Sequence, residues 1–247
     1  MASPLQVSFS SLQESGFPLQ TAVVEIVRRN AAWRVQAEEH PWKDGDKDEF
    51  VDLVASRTGL RLVIECKRVS DVSLTFLKTT TGDDRAAGAH AATVCIGPGS
   101  GHPWTVRTKL WDLSAHSDEA MYCVSSRDPK KRLLEEDAGL VARAAEAFAR
   151  LIADTQGARE GQNTEFPVVG VVVTTARLFV AEYPPSAVGL IDGRIKQGDL
   201  RRHEEVHWVR FTKAFFNPWN LGETPRRTVF IVSALRFEEL LSSISSF

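Results

Sequence analysis

The sequence predicts an α/β sandwich around a mixed central sheet, and three observations carry that expectation. A helix-spaced segment precedes two strand-like runs joined by a tight turn. A second, longer helix-spaced segment follows. Val168–Thr175 is then an almost continuous apolar run bounded by Pro167, the composition of a strand buried on both faces. Helix, hairpin, helix, buried strands and helix in that order suit stacked layers sharing a core. The 247 residues are read as a single domain, 1–247, large enough to fold without disulfides or structural metals.

Taken in order, Pro18 suits a first helical position, and Leu19, Ala22, Val23, Ile26 and Val27 recur at helical spacing, giving a helix over Pro18–Ala32. Trp33–Glu39 reads as a short strand entering a charged loop, Pro41–Asp48. Phe50–Ser56 and Leu60–Val69 are strands of a hairpin turning at Thr58-Gly59. Residues 71–127 read as an insertion of mixed structure, with short apolar pieces around a Gly97–Pro103 loop. It is too long for an ordinary loop and is expected to shape substrate access or oligomer contacts. Asp128-Pro129 resembles a helix start, continued by Leu133, Leu134, Ala138, Val141, Ala145, Phe148 and Ile152 to about Asp154. Leu178–Tyr183, Val206–Phe215 and Thr228–Ala234 read as further strands, and Phe237–Ile244 as a closing helix.

Composition narrows the function classes. An apolar fraction of 43% with 25% charged residues excludes wholesale disorder. The net charge of −2 excludes a polycation, so nucleic-acid binding would need a local basic patch. Cys66, Cys95 and Cys123 form no CxxC pair, which fits a reducing compartment. No segment reads as a signal peptide or membrane span, so a cytoplasmic protein is expected.

The hairpin carries the chemistry. Alternation puts Arg61, Val63, Glu65 and Lys67 on one face of its second strand. With a two-residue loop, 57 faces 60, 54 faces 63 and 52 faces 65. Asp52 therefore stands opposite Glu65, with β-carbons roughly 5 Å apart. Like charges that close are destabilising unless one is protonated or a cation lies between them, and a hard divalent ion prefers such an oxygen site. Lys67 follows two residues along, about 6.5–7 Å further. There an ammonium offsets phosphoryl charge or orients an attacking water.

Asp52, twelve intervening residues and then Glu65-Cys66-Lys67, on a hairpin after a glutamate-bearing helix, resembles the PD-(D/E)xK nuclease superfamily and its restriction-endonuclease-like fold. The likeness covers about Pro18–Arg68, and more loosely the later helix and Val168–Thr175. It implies that Asp52, Glu65 and the carbonyl of Cys66 hold Mg²⁺ (Mn²⁺ as a substitute), with Glu25 on the helix in support, and that Lys67 assists the attacking water. Asp52, Glu65 and Lys67 are thus the catalytic set. Val51 stands where the family pattern has proline. The expected activity is a Mg²⁺-dependent nuclease, foremost a DNA endonuclease acting on double-stranded DNA. A homodimer is expected because cutting both strands commonly needs two sites, and restriction or anti-phage defence is the setting such relatives suggest.

Other motifs compete. Asp128-Pro129-Lys130 repeats the [DE]xK letters at a helix start. His203-Glu204-Glu205-Val206-His207 matches HExxH, the zinc-protease pattern, but its context favours a strand, where the histidines would lie about 13 Å apart. Asp44, Asp46 and Asp48 fail the calcium-loop pattern at Glu49 and Ala55. For phosphate contacts the candidates are Arg68, Lys130, Lys131 and Arg132, with Arg201-Arg202 and Arg226-Arg227 as solvated alternatives. The alternatives to a nuclease are an interaction module on the same fold and a zinc metalloprotease using His203, Glu204 and His207.

Overall fold

A computed structural model describes residues 15–80, 89–96, 105–128, 133–155, 165–213 and 226–244. Phe17–Arg29 is helix α1. It stops short of Ala32 because Asn30 leaves the helical region (φ −81°, ψ 112°) and its side-chain oxygen accepts the Ala32 amide at 3.0 Å. Strands β1 (Arg34–Asp44) and β2 (Lys47–Arg57) form one long antiparallel hairpin. The expected charged loop over Pro41–Asp48 is therefore corrected. Gly45, at φ 63°, permits a two-residue turn, and the charges on either side decorate strands. Strand β3 (Leu60–Lys67) follows through Thr58-Gly59, with Gly59 at φ 72°.

The long middle segment supplies β4 (Ser73–Thr79), β5 (Ala89–Ile96), β6 (Thr105–Asp112), β7 (Glu119–Ala120) and β8 (Tyr122–Ser125). Helix α2 (Leu133–Thr155) precedes β9 (Glu165–Thr174) and β10 (Arg177–Tyr183). The strand expected over Val206–Phe215 is β12 (Trp208–Lys213), and an unexpected short strand just before it, β11 (Arg202–Glu205), belongs to a different sheet. Strand β13 (Arg227–Ser233) and helix α3 (Phe237–Ser243) close the described chain.

The main sheet runs β1-β2-β3-β9-β13-β12-β7, with β5 joined to the start of β9 and β6 paired to the outer side of β5. β3, β9 and β13 are parallel to one another. Its architecture is α/β. Alternation along β9 sends Val169, Val171 and Val173 to one face, where α1 (Val23, Val24, Val27) and α3 (Phe237, Leu240, Leu241) cover them. Val168 and Val172 point to the other face, under α2. Gly170 sits on that second face. A Cβ there would lie 2.7 Å from Val141 Cγ1 and 3.3 Å from Val229 Cγ2, so α2 rests on the sheet only because the side chain is missing.

A second sheet, β11-β10-β4-β8, grows from the first. β3 and β9 run side by side, bend, and continue as β4 and β10, again parallel, with Leu74 beside Leu178. Thr175 clamps the bend: its hydroxyl donates to the Val69 carbonyl at 2.7 Å and accepts the Val69 amide at 2.8 Å. Phe76, Leu178, Val180 and Phe211 fill the space between this sheet and the N-terminal half of α2. No helix among the described residues is long and apolar enough to cross a membrane.

Candidate active site

The β2–β3 ladder has the expected register, from Arg57 opposite Leu60 to Leu53 opposite Ile64. The ladder ends there, one level short of Asp52 and Glu65, which the same register would set opposite each other. The β1–β2 ladder also skips that level, between Glu38–Leu53 and His40–Val51, where Glu39 adopts φ 48°. Beyond it the β1–β2 ribbon leans over α2. Trp42 and Val51 join the cluster formed by Ala145, Phe148 and Ile152, the His40 ring meets Phe148 edge-on at 5.2 Å, and Arg143 binds Asp44 at 3.0 Å. This turn of the ribbon opens a gap between β2 and β3 at Asp52.

Asp52 spans the gap. Its Oδ2 accepts the Cys66 amide at 2.6 Å. In an extended strand the N–H and C=O of one residue point toward the same neighbour, so the Cys66 carbonyl is turned to this gap as well. Glu65 projects to the α2 side, and its Oε2 is buried with no hydrogen-bond partner. Burial, then the nearby Asp52 and Asp137 carboxylates, push the Glu65 carboxyl up to about 8 against the pull of Lys67 and the Asp52 amide. Burial also raises Asp52, with Glu39 adding to the rise and the Cys66 hydrogen bonds opposing it. Lys67 Nζ lies 3.0 Å from Asp137 Oδ1 on α2.

Two carboxylates, one carrying an orphaned buried oxygen, and a backbone carbonyl make an all-oxygen set of the kind Mg²⁺ accepts. Three His, Cys, Asp or Glu side chains do not gather round one point among the described residues. The set therefore fits a divalent ion only with Asp52, Glu65, the Cys66 carbonyl and solvent or substrate oxygens together. Asp52, Glu65, Cys66 and Lys67 are brought to one place, but Glu25 is not. Its helix covers the opposite face of the sheet, and Glu25 is 58% exposed beside Arg29, 3.8 Å away at i+4. Gln20 is the helix residue that reaches the hairpin, its Nε2 donating to the Asp52 carbonyl at 3.3 Å.

Asp137 is the residue that sequence reasoning missed. It interrupts the inward stripe of Leu134, Ala138 and Val141, and a carboxylate on that stripe was a readable sign of a polar partner. Arg68 is half-buried beside Lys67 and lines the neighbouring cleft. Lys130, Lys131 and Arg132 lie outside the described residues, as do the Gly97–Pro103 loop and Pro129. Arg202 is held by Asp118 at 2.9 Å, and Arg227 is buried against Glu146. The HExxH segment is strand and bend. His203 stacks on Phe179 in the second sheet, His207 meets Glu239 at 3.1 Å, and Glu204 and Glu205 pair with Arg202 and Arg177. The two histidines share no helical face, so the zinc-protease geometry is not formed. Comparison with protein-family models, curated proteins and solved structures gives no match to this chain.

Proposed function

We propose that this chain is a divalent-metal-dependent nuclease that hydrolyses phosphodiester bonds, with Mg²⁺ as the metal and DNA as the substrate. The observation that carries the reading is the buried, unpartnered Oε2 of Glu65 beside Asp52, at the place where β2 parts from β3. A buried carboxylate oxygen without a donor costs free energy that a cation would recover. When bound there, the ion would neutralise phosphate charge and acidify an attacking water. Asp52 and Glu65 would hold it with the Cys66 carbonyl. Lys67, set by Asp137 on the side of the approaching phosphate, would place its ammonium against the phosphoryl oxygens or the incoming water. Asp52, tied to the Cys66 amide, keeps the carboxylate fixed before substrate arrives.

Purified protein incubated with supercoiled plasmid and single-stranded circular DNA, in Mg²⁺ and in EDTA, tests the assignment. Wild type should cut in Mg²⁺ only, and Lys67→Ala should lose at least a hundredfold in rate while keeping its melting temperature within a degree or two. Cutting by Lys67→Ala equal to wild type, or none by wild type on either DNA, refutes it.

A further inference from the structure

We infer that the cleft where the two sheets part holds one unpaired nucleotide of the substrate, next to the phosphate being cut. The inference rests on the nuclease reading above and assigns the class of nucleic acid it acts on.

The cleft lies just past the carboxyl ends of the parallel strands β3 and β9, the position where open α/β sheets commonly take ligands. It encloses about 590 Å³, within the range of sites for single small molecules. Its floor is apolar, formed by Val72, Leu74 and Leu134 from the edge of the second core cluster. Its rim carries Arg68 and Arg127, neither of which forms a salt bridge among the described residues, together with one exposed carboxylate, Asp128. Two of the acidic side chains in the wall are already paired: Asp137 with Lys67 at 3.0 Å and Glu135 with Lys213 at 2.5 Å. An apolar floor beneath a rim with two arginines against one carboxylate matches a base with its phosphates.

Lys67 belongs to both places. It lines the cleft and stands two residues along the strand from Glu65, so a phosphate at the carboxylates and a base in the cleft are one nucleotide apart. A base inside a stacked duplex cannot enter a concavity of this size. The nucleotide must be single-stranded, in a mismatch, or extruded from the helix.

The test separates binding from cleavage. In EDTA, an oligonucleotide carrying 2-aminopurine is titrated with protein as a single strand and as a blunt duplex. Single-strand binding should be at least tenfold tighter. It should weaken at least tenfold in Val72→Phe, which fills the cleft, and in Arg68→Ala/Arg127→Ala, which leaves the core untouched. In Mg²⁺, wild type should cut a duplex containing an unpaired bubble at least ten times faster than the fully paired one. Equal binding of single strand and duplex, or unchanged binding in both variants, overturns the cleft assignment even if plasmid is cut. Failure to cut any nucleic acid in Mg²⁺ removes the nuclease reading and this inference with it.

Discussion

Replacing Glu65 by glutamine should stabilise the metal-free protein, and more so as the pH rises. The Glu65 carboxyl is raised to about 8 in the folded chain against an ordinary 4.5, by burial first and then by Asp52 and Asp137. Between those pH values the folded state holds a proton that the unfolded state has released. Stability therefore falls as pH rises from about 4.5 to 8. At about 1.4 kcal/mol per pKa unit the ceiling is about 5 kcal/mol. Rearrangement around the carboxyl group and water entering the gap bring the expected loss to about 1–3 kcal/mol. A glutamine keeps an oxygen for the Asp52 amide and turns an NH₂ toward the Asp52 carboxylate, so the slope should vanish. Thermal melts in EDTA from pH 5 to 8.5 measure it. Glu65→Gln should melt several degrees above wild type at pH 8 and close to it at pH 5. Parallel curves for the two proteins would refute the burial and the coupling on which the site is built.

Asp52→Asn should also raise the metal-free melting temperature from about pH 8 upward, where Glu65 is ionised, by up to about 1 kcal/mol of relieved repulsion, because asparagine can still accept the Cys66 amide. It should abolish cleavage and gain less than wild type when Mg²⁺ is added. Gly170→Ala should cost about 1–3 kcal/mol in urea unfolding, since its Cβ meets Val141 at 2.7 Å; a neutral change would mean that α2 does not rest there. Glu146→Ala should cost about 3–5 kcal/mol by the same assay, because it leaves the Arg227 guanidinium buried without its partner. Burial and the neighbouring Arg210 push His90 down to about 3, so the unfolded chain gains a proton below 6.5 that the folded chain refuses. Stability should drop between pH 6.5 and 3, and His90→Leu should flatten that acid limb.

The hairpin register was legible because it depends on local rules: a two-residue loop at Thr58-Gly59 and period-two alternation set 54 against 63 before any tertiary contact is known. The buried strand β9 and the apolar stripe of α2 were legible for the same reason. The parting of β2 from β3 was not. It follows from Glu39 in the left-handed region and from Trp42 and Val51 packing on a helix about a hundred residues later. Alternation indeed predicts the wrong face for Val51. The second sheet was hidden because β4 pairs with β10 across a similar separation, and only the bend at Thr175 makes that pairing possible. Glu25 was misplaced because helix spacing gives a face, not the side of the sheet on which the helix lies. Val23, Val24 and Val27 point inward and leave Glu25 in solvent, while Gln20, one turn earlier, reaches the hairpin.

The central claim is that Asp52 and Glu65 share a divalent cation, and calorimetric titration of Mg²⁺ in buffers of different ionisation enthalpy tests it most directly. With Glu65 raised to about 8, most metal-free molecules carry its proton at pH 7, and a cation must displace it. Wild type should bind one ion and release close to one proton at pH 7, falling toward none at pH 9. Glu65→Gln should bind far more weakly and release none. No measurable binding, or binding of equal strength and proton count in both proteins, would contradict the site.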